Sequence, residues 1–404
     1  MSHHPTGLKK IFHQSRRSLA KTWLSVFHPV QLGITGSQGK TNTTELVTQV
    51  LAQIGGTVRT DINLDTTYNV PITALSVRPW TQYVVWELGI DHPGEMDHHL
   101  EIAHPTIACV TGISPVHTDQ EHMGSLETLI QEKRRIIEVL PESGVAILNH
   151  DNEFVREMAT HTKAHIKWYG SDPTCDMWVD PPSIQVSLSG TKATFHTRSP
   201  NNDDRAFELS TGLIGTHHVY TLMSAFLLIQ SAVPDQDIAS IFTEVVSHIK
   251  PLKGRMSVET GPLDTVLLND SLRANPESTR TGLETLEQIS YDNGRKIAVI
   301  GEMGELENPE EEHRKTGEQL AKLHLDLIIC IGPLRKFTIE TAVHHGFPEE
   351  KIKYAEDVFQ ASELLKNTLR KGDLWYLKGS LLRNYSRILK LLRGEKVCCH
   401  EVLC

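Results

Sequence analysis

The chain carries a loop, TGSQGKT at Thr35–Thr41, whose residue types suit phosphate binding. Its glycines let the backbone approach an anion closely, and successive amides at the start of a helix attract negative charge. Lys40 would reach the outer phosphates of a nucleotide, and the Thr41 hydroxyl would ligate magnesium. The strict GxxxxGK(S/T) spacing would require glycine at Ile34, but Gly33 and Gly36 flank that position instead. We predict a phosphate site formed by Thr35, Gly36, Ser37, Gln38, Gly39, Lys40, Thr41 and Asn42.

A magnesium ion bound to phosphate also needs oxygen ligands from the protein, and these come from the ends of neighbouring strands. Glu87 lies at the end of the apolar run YVVWELG and is one predicted ligand. His117 follows the next apolar run, TIACVTGI, and is a second candidate. Spacing alone places His122 equally well, so both histidines remain open.

The elements that must position these residues alternate regularly from residue 31 to about 150. Short apolar runs end at glycines or polar turns and are separated by longer helix-like segments. The runs are VQLGIT, YVVWELG, TIACVTGI and GVAILN. This alternation is typical of a parallel sheet covered by helices. The fold class we predict is α/β, with a P-loop central domain built on a mostly parallel sheet.

The pattern changes between residues 165 and 214 and restarts near residue 250. SIQVSLSGTKATFHTRS and RAFELSTGLI predict a small antiparallel β insertion, which a helix follows. DTVLLND, KIAVIGEMG, LDLIICIG and DLWYLKGS then predict four strands of a second, Rossmann-like α/β domain. We expect a basic helical arm at 1–30, a nucleotide-binding central domain at 31–250 and a C-terminal domain at 251–404.

Composition narrows the class of protein. Of the 404 residues, 39% are hydrophobic and 22% charged, and the net charge is -10. These values, with no apolar run near the roughly 20 residues of a membrane span and no export signal, predict a globular cytoplasmic protein that binds no nucleic acid. For the basic amphipathic arm, packing on the main domain, binding a membrane surface and binding a protein partner are alternatives. The tail KVCCHEVLC predicts a frayed terminus, with metal binding as the alternative.

Eight motifs between residue 31 and about 390 occur in the order found in Mur ligases. They are TGSQGKTNT, ELGIDHPGEM, GISPVHTDQEHMGSLETLIQEK, GTHH, LKGRM, NDSLRANPESTRTGLETL, VIGEMGELENPEEEH and YLKGS. The chain resembles this family, and most of all the members that add D-alanyl-D-alanine to a UDP-muramoyl tripeptide. The resemblance implies an ATP-dependent ligase that phosphorylates a carboxylate and then lets an amine displace the phosphate. The implied substrates are a small-molecule carboxylate acceptor of cell-wall peptide assembly and an amino acid or dipeptide.

The resemblance also implies roles in the central domain. Lys133 matches a family lysine that becomes carbamylated, and a carbamate can ligate magnesium where an ammonium would repel it. Two magnesium ions are implied. The implied catalytic residues are Lys40, Glu87, His117 and Lys133, and the implied metal ligands are Thr41, Glu87, His117 and Lys133.

In the second domain, Asp270 matches a residue that binds nucleotide ribose, and Arg255 matches one that approaches the phosphates. The resemblance implies that the motifs containing Asn275, Lys378 and Ser380 help to place the amine substrate. The alternative role is a strand-end turn for Asp270, a surface cation for Arg255, and a loop cap for Asn275, Lys378 and Ser380.

Two motifs depart from the family at positions that contact ligands. GTHHVYT keeps His217 but has His218 and Thr221 where the family has adenine-binding asparagines. DTTYNVPIT replaces an asparagine-rich motif, which leaves Asn69 and Thr73 as candidate substrate residues.

A third departure concerns substrate. Arg273 in DSLRANP adds a cation, which predicts a more acidic substrate or acceptor.

Only thirty residues precede the P-loop strand, whereas the muramoyl-peptide ligases carry a UDP-sugar-binding domain there. We therefore expect that the acceptor lacks UDP, or that another chain or the helical arm binds it.

Two other functions remain alternatives to a cell-wall ligase. One is a glutamate ligase resembling folylpolyglutamate synthase, which has a similar two-domain arrangement. The other is a non-catalytic nucleotide-binding subunit that works with a partner. The intact set of Lys40, Thr41, Glu87, His117 and Lys133 argues against the second alternative.

Overall fold

A computed structural model describes residues 8–61, 66–114, 122–198, 204–304, 306, 308–380 and 384–397. Packing divides the chain into two compact units. The first comprises residues 1–184, 193–210 and 218–248, and the second comprises 185–192, 211–217 and 249–404. Residues 185–192 and 211–217 precede the expected boundary near residue 250 but pack with the second unit.

The first large sheet has ten strands in the order β10-β9-β7-β6-β5-β4-β1-β3-β2, with β8 paired to β9. Strands β1 to β7 pair in parallel, and β9 pairs antiparallel with β7 and β8. This confirms the mostly parallel sheet and its small antiparallel insertion. The strands are β1 Val30–Thr35, β2 Gly56–Arg59, β3 Thr81–Glu87, β4 Ile107–Val110, β5 Val145–Asn149, β6 His165–Gly170, β7 Met177–Val179, β8 Gln185–Ser187, β9 Gly190–Thr197 and β10 Arg205–Thr211.

Eight α-helices of the first unit lie within the described residues. Of these, α7 packs against α2 and against strands β4, β5 and β6, and its apolar residues are buried on nearly every side. The helices are α1 Leu8–Phe27, α2 Lys40–Ile54, α3 Thr66–Ser76, α4 Glu95–Leu100, α5 Leu126–Glu138, α6 Glu153–Met158, α7 His218–Ala232 and α8 Ala239–His248.

The basic arm forms helix α1, which packs against α3. Ala20 and Leu24 are buried in the core of the first unit, and the indole of Trp23 donates a 2.9 Å hydrogen bond to the carbonyl of Val77. The Lys21 ammonium lies 2.9 Å from the Glu101 carboxylate. Of the helices that the structure describes, none combines the length and the apolar character needed to cross a membrane.

The second unit contains a six-stranded sheet in the order β11-β12-β16-β13-β14-β15. All pairs are parallel except β11 with β12, which confirms a Rossmann-like α/β unit and adds β11 and β15 to the four predicted strands. The strands are β11 Ser257–Thr260, β12 Val266–Asp270, β13 Lys296–Ile300, β14 Leu327–Ile331, β15 Ile352–Ala355 and β16 Leu374–Lys378; the helices are α9 Pro276–Gln288, α10 Pro309–Ala321, α11 Arg335–His344, α12 Val358–Thr368 and α13 Arg387–Leu392.

Candidate nucleotide and ligation site

The predicted phosphate loop connects the end of β1 to the start of α2. Gly36 and Gly39 adopt φ values of +146° and +79°, which favour glycine, and they turn the chain sharply between the two elements. Helix α2 begins at Lys40 with Gly39 as its N-cap, so no side chain caps its first amides. These amides form a ready anion site. Thr35, by contrast, is fully buried and donates to the carbonyl of Leu88 at 2.7 Å, so its side chain supports the loop from inside.

Ser37 and Gln38 bind the segment that follows β4. The Ser37 amide donates to the Gly112 carbonyl at 2.7 Å, and its hydroxyl donates to the Ser114 carbonyl at 3.1 Å while accepting from the Ser114 amide at 3.0 Å. The Gln38 side-chain amide lies 3.5 Å from the Ser114 hydroxyl. The side chains of Ser37 and Gln38 therefore hold the loop in shape, and its backbone remains as the phosphate-facing surface.

Thr111, directly after β4, supports the same loop from a second direction. Its hydroxyl hydrogen-bonds to the carbonyls of Thr35 (3.2 Å) and Gln38, and its amide donates to Thr35 at 2.9 Å. A Cβ at Gly36 would overlap this hydroxyl, which explains why the loop needs glycine there. Thr111 in turn is held through its own carbonyl, which accepts from the Asn149 amide at 3.0 Å.

Two lysine side chains meet at the carbonyl of Gly36. The Lys40 ammonium donates to it at 2.7 Å and the Lys133 ammonium, which comes from α5, at 3.1 Å. Lys133 is only 3% exposed. Burial, followed by the charge of Lys40, holds the pKa of Lys133 well below its usual range, and Asp91 partly opposes this shift. The arrangement therefore favours a neutral Lys133 amine or an anion beside it.

The predicted metal ligands Thr41 and Glu87 lie in direct contact. The Thr41 hydroxyl donates to the Glu87 carboxylate at 2.8 Å, and the Glu87 amide donates to the Thr60 hydroxyl at 2.8 Å. Two oxygen groups at the mouth of a phosphate loop suit Mg²⁺, which completes its shell with phosphate oxygens and water. His117 lies outside the described residues, while His122 stacks on His92 with ring centroids 5.8 Å apart.

Four predicted ligand residues of the first unit are buried. Asn69 accepts from the Asp61 amide at 3.0 Å and from the Thr73 hydroxyl at 3.1 Å, so it ties the start of α3 to the segment after β2. His218 and Thr221 are 3% and 4% exposed on α7, facing the interior of the unit. Adenine recognition by His218 and Thr221, and substrate binding by Asn69 and Thr73, remain predictions.

The second unit brings Asp270 and Lys378 together. The Lys378 ammonium lies 2.6 Å from one Asp270 oxygen, and the Tyr376 hydroxyl donates to the same oxygen at 3.0 Å. Burial raises the pKa of Asp270, while Lys378, Tyr376 and the Met256 amide act in the opposite direction. Residues assigned separately to nucleotide and amine binding thus form one hydrogen-bonded group.

Other predicted residues surround this group at the carboxyl edge of the second sheet. Asn275 caps α9 by accepting from the Ser278 amide at 2.8 Å. Burial and then Lys378 lower the pKa of His217 to about 4, so its imidazole is neutral. Arg273 is exposed on the β12–α9 segment, and Arg255 lies in the turn before β11. Ser380 is 7% exposed just after β16.

Sequence reasoning missed the supporting residues Thr111, Ser114 and Tyr376. Thr111 and Ser114 follow β4, which pairs with β1, the strand that leads into the phosphate loop. Tyr376 lies in β16, which pairs with β12, the strand that ends at Asp270. That position was a usable signal for Thr111, because β4 was predicted and the carboxyl ends of parallel strands share an edge. Tyr376 and Ser114 carried no comparable signal.

Comparison with known proteins assigns both units to one family. Residues 34–229 match the Mur ligase middle domain, and residues 254–381 match the Mur ligase, glutamate ligase domain. The UDP-N-acetylmuramoyl-tripeptide–D-alanyl-D-alanine ligase of Mycobacterium leprae is 30% identical over 392 residues, spanning 90% of this chain and 73% of that protein.

Two solved structures share the fold. MurF from Acinetobacter baumannii superposes with a TM-score of 0.82 at 24% identity, covering 95% of this chain and 81% of that chain. A MurF ligase from Thermotoga maritima in complex with ADP gives a TM-score of 0.79 at 23% identity, covering 95% and 84%. The described residues thus retain the fold of that ADP-bound protein.

The support of the phosphate loop by Thr111 predicts that Thr111→Val weakens nucleotide binding about tenfold, because buried carbonyls lose their hydroxyl donor. Thr111→Ser keeps the hydroxyl and should bind within about twofold of the wild type. Isothermal titration with ADP and magnesium measures both. Equal affinity of Thr111→Val and the wild type would show that the hydroxyl does not shape the loop.

Proposed function

Because the chain belongs to the Mur ligase family of ATP-dependent, peptide-bond-forming enzymes, we propose that it joins a muramoyl-type peptide carboxylate to an amino acid or dipeptide in peptidoglycan precursor synthesis. The observation that carries this proposal is the pair of ammonium groups of Lys40 and Lys133 on the Gly36 carbonyl. A second support is the 30% identity to a ligase that adds D-alanyl-D-alanine to a muramoyl tripeptide.

The proposed reaction has two steps. The acceptor carboxylate attacks the γ-phosphorus of ATP, forming an acyl phosphate and ADP, and the amine then attacks the acyl carbon and releases phosphate. The amides at the start of α2, which no side chain caps, bind the phosphates, and Lys40 offsets charge on the transferring group. Because such transfer depends on positioning and charge, no protein nucleophile is needed.

Magnesium is the proposed metal, and Thr41 and Glu87 are its proposed protein ligands. The ion would neutralise phosphate charge. Lys133 joins these ligands after its neutral amine takes up carbon dioxide to form a carbamate and release a proton. The burial of Lys133 and its lowered pKa support this step, since only an unprotonated amine reacts. His117 stays a proposed further ligand from the family resemblance.

In the second unit, Asp270 and Arg255 are the proposed nucleotide contacts, and Asn275, Lys378 and Ser380 are the proposed contacts for the amine substrate. Lys378 is fixed by its 2.6 Å pair with Asp270, so both groups respond together to a bound ligand. Arg273 is the proposed partner of a substrate carboxylate, because it is an exposed cation beside the cap of α9. The use of ATP supports a cytoplasmic location.

Two alternatives have less support. A folylpolyglutamate-synthase-like activity would need glutamate as the amine, whereas the 30% identical relative is named for D-alanyl-D-alanine. A non-catalytic subunit would not require the Thr41–Glu87 contact or the buried Lys133. A protein or membrane partner for α1 remains a proposal.

The function is tested by measuring ADP release and amide product with ATP, magnesium and matched acceptor and amine pairs. Muramoyl peptides with D-alanyl-D-alanine or single amino acids form one series, and pteroylglutamate with glutamate forms the other. We expect turnover in the first series and none in Lys40→Ala. If no pair exceeds the Lys40→Ala rate, the ligase proposal fails; turnover only with the folate pair would favour the alternative.

Lys133→Ala should lose at least about a hundredfold in kcat, because the variant cannot form a carbamate. Added short carboxylates should restore part of the activity by occupying the vacated space. Labelling with ¹³C-bicarbonate should give a carbamate resonance in the wild type that is absent from the variant. Lys163→Ala, which removes an 82% exposed lysine, is the matched control. Full activity in Lys133→Ala would exclude a catalytic carbamate.

Arg273→Ala should raise the KM of one substrate about tenfold with little change in kcat, as expected when uniform binding energy is lost. Separate titrations of acceptor and amine identify which substrate carries the recognised carboxylate. Arg280→Ala is the control, because Arg280 is an exposed cation of α9 already paired with Glu277 and Glu284. Unchanged KM for both substrates would remove Arg273 from the site.

A further inference from the structure

Tyr385 is buried between the ends of two neighbouring strands of the second unit. Its side chain is 2% exposed, and Ile300 of β13 pairs with Lys378 of β16 beside it. A Cβ at Gly301 or at Gly379 would overlap the Tyr385 ring. The ring therefore fills the space that side chains at Gly301 and Gly379 would occupy. It contacts both segments at the points where they leave the sheet.

Hydrogen bonds continue this connection past the strand ends. The Glu302 amide donates to the Tyr385 hydroxyl at 2.8 Å, and the Ser380 amide donates to the Glu302 carbonyl at 3.3 Å. The Gly301 amide donates to the Lys378 carbonyl at 2.7 Å. The segment Lys378–Ser380 is thus fixed on one side by Gly301 and Glu302, which are themselves fixed by Tyr385.

The Glu302 carboxylate extends the connection to a third strand. Glu302 is 4% exposed, and one of its oxygens accepts from the Leu334 amide at 3.0 Å, in the segment after β14. A Cβ at Gly332 would lie 2.6 Å from the Glu302 carboxyl carbon, so the carboxylate lies directly on that segment. Buried carboxylates keep such positions only when hydrogen bonds compensate their lost hydration.

The same β13–α10 segment also reaches β12. The Gly304 amide donates to the Ala274 carbonyl at 3.2 Å, next to the Asn275 cap, and the Met303 amide donates to the His313 imidazole at 3.3 Å. The His313 ring also hydrogen-bonds to the Pro309 carbonyl at 2.7 Å. Four strand ends are therefore linked through one short segment.

We propose that Tyr385 and Glu302 are positioning residues for ligation, which hold Lys378 and Ser380 in register with the Asn275 segment. This inference rests on the proposed function, because it assigns them to the step in which the amine substrate is placed. Neither residue needs to touch a substrate. Their effect passes through the backbone of Gly301, Glu302 and Ser380, and small displacements of placed groups have large effects on rate.

Tyr385→Phe removes only the hydroxyl that accepts from Glu302 and keeps the ring between the glycines. Tyr291→Phe is a matched control, because the Tyr291 hydroxyl also makes one hydrogen bond, to the Gly372 carbonyl at 2.6 Å. Gly372 precedes the amino end of β16, whereas Tyr385 lies at its carboxyl end. Both variants lose one partly or fully buried hydrogen bond, so both should show similar decreases in melting temperature. Only Tyr385→Phe should lose about tenfold in kcat at saturating substrates.

Glu302→Gln and Glu302→Ala form a second pair. The Gln amide oxygen can still accept from Leu334, so Glu302→Gln should keep most of the ligation rate, while Glu302→Ala should lose about tenfold in kcat. ADP affinity is measured in parallel and kcat is taken at saturating ATP, because the proposed nucleotide contact Asp270 is paired with Lys378. Rescue by Gln distinguishes positioning from a requirement for the charge.

The outcomes separate the two proposals. If the wild-type protein forms no amide with any pair, the proposed function fails. If the wild type is active and Tyr385→Phe matches Tyr291→Phe in kcat, the positioning role is overturned. Loss of kcat in Tyr385→Phe with an unchanged control, together with rescue in Glu302→Gln, supports it.

Discussion

The phosphate loop of the first unit depends on the meeting of two lysine side-chain nitrogens at the Gly36 carbonyl. Lys40 and Lys133 approach it to 2.7 and 3.1 Å, although like charges repel strongly where water is excluded. The carbonyl compensates only part of that repulsion. The arrangement is stable when Lys133 is neutral or when an anion lies beside both groups. A bound phosphate would be such an anion.

The other residues of the loop hold that carbonyl in place. Gly36 turns back over the Thr111 hydroxyl, and no other residue type fits there. This explains the departure from the usual glycine spacing. Ile34 is a fully buried residue of β1, and a Cβ at Gly33 would lie 2.9 Å from the Ile136 side chain of α5, so Gly33 serves packing. The glycines that shape the phosphate loop are Gly36 and Gly39.

Local patterns predicted the strands that carry Thr35, Glu87, Asp270 and Lys378, because a buried strand and its polar end lie within a few residues. They did not predict that β6, within the stretch expected to be antiparallel, pairs in parallel with β5. Nor did they place residues 185–192 and 211–217 with the second unit. Pairing partners and packing partners are distant in the chain, and for the same reason Tyr385 was not recognised.

Lys133 of the first unit and Lys378 of the second are both buried, and they differ in a way that only the structure shows. Lys378 is 1% exposed and has Asp270 at 2.6 Å, so its charge is compensated within the fold. Lys133 is 3% exposed, and among the described residues no carboxylate lies within 4.0 Å of its ammonium. A buried cation without such a partner is strongly disfavoured. Lys378 can therefore act as a fixed charge, whereas the surroundings of Lys133 favour a neutral amine or an anion beside it.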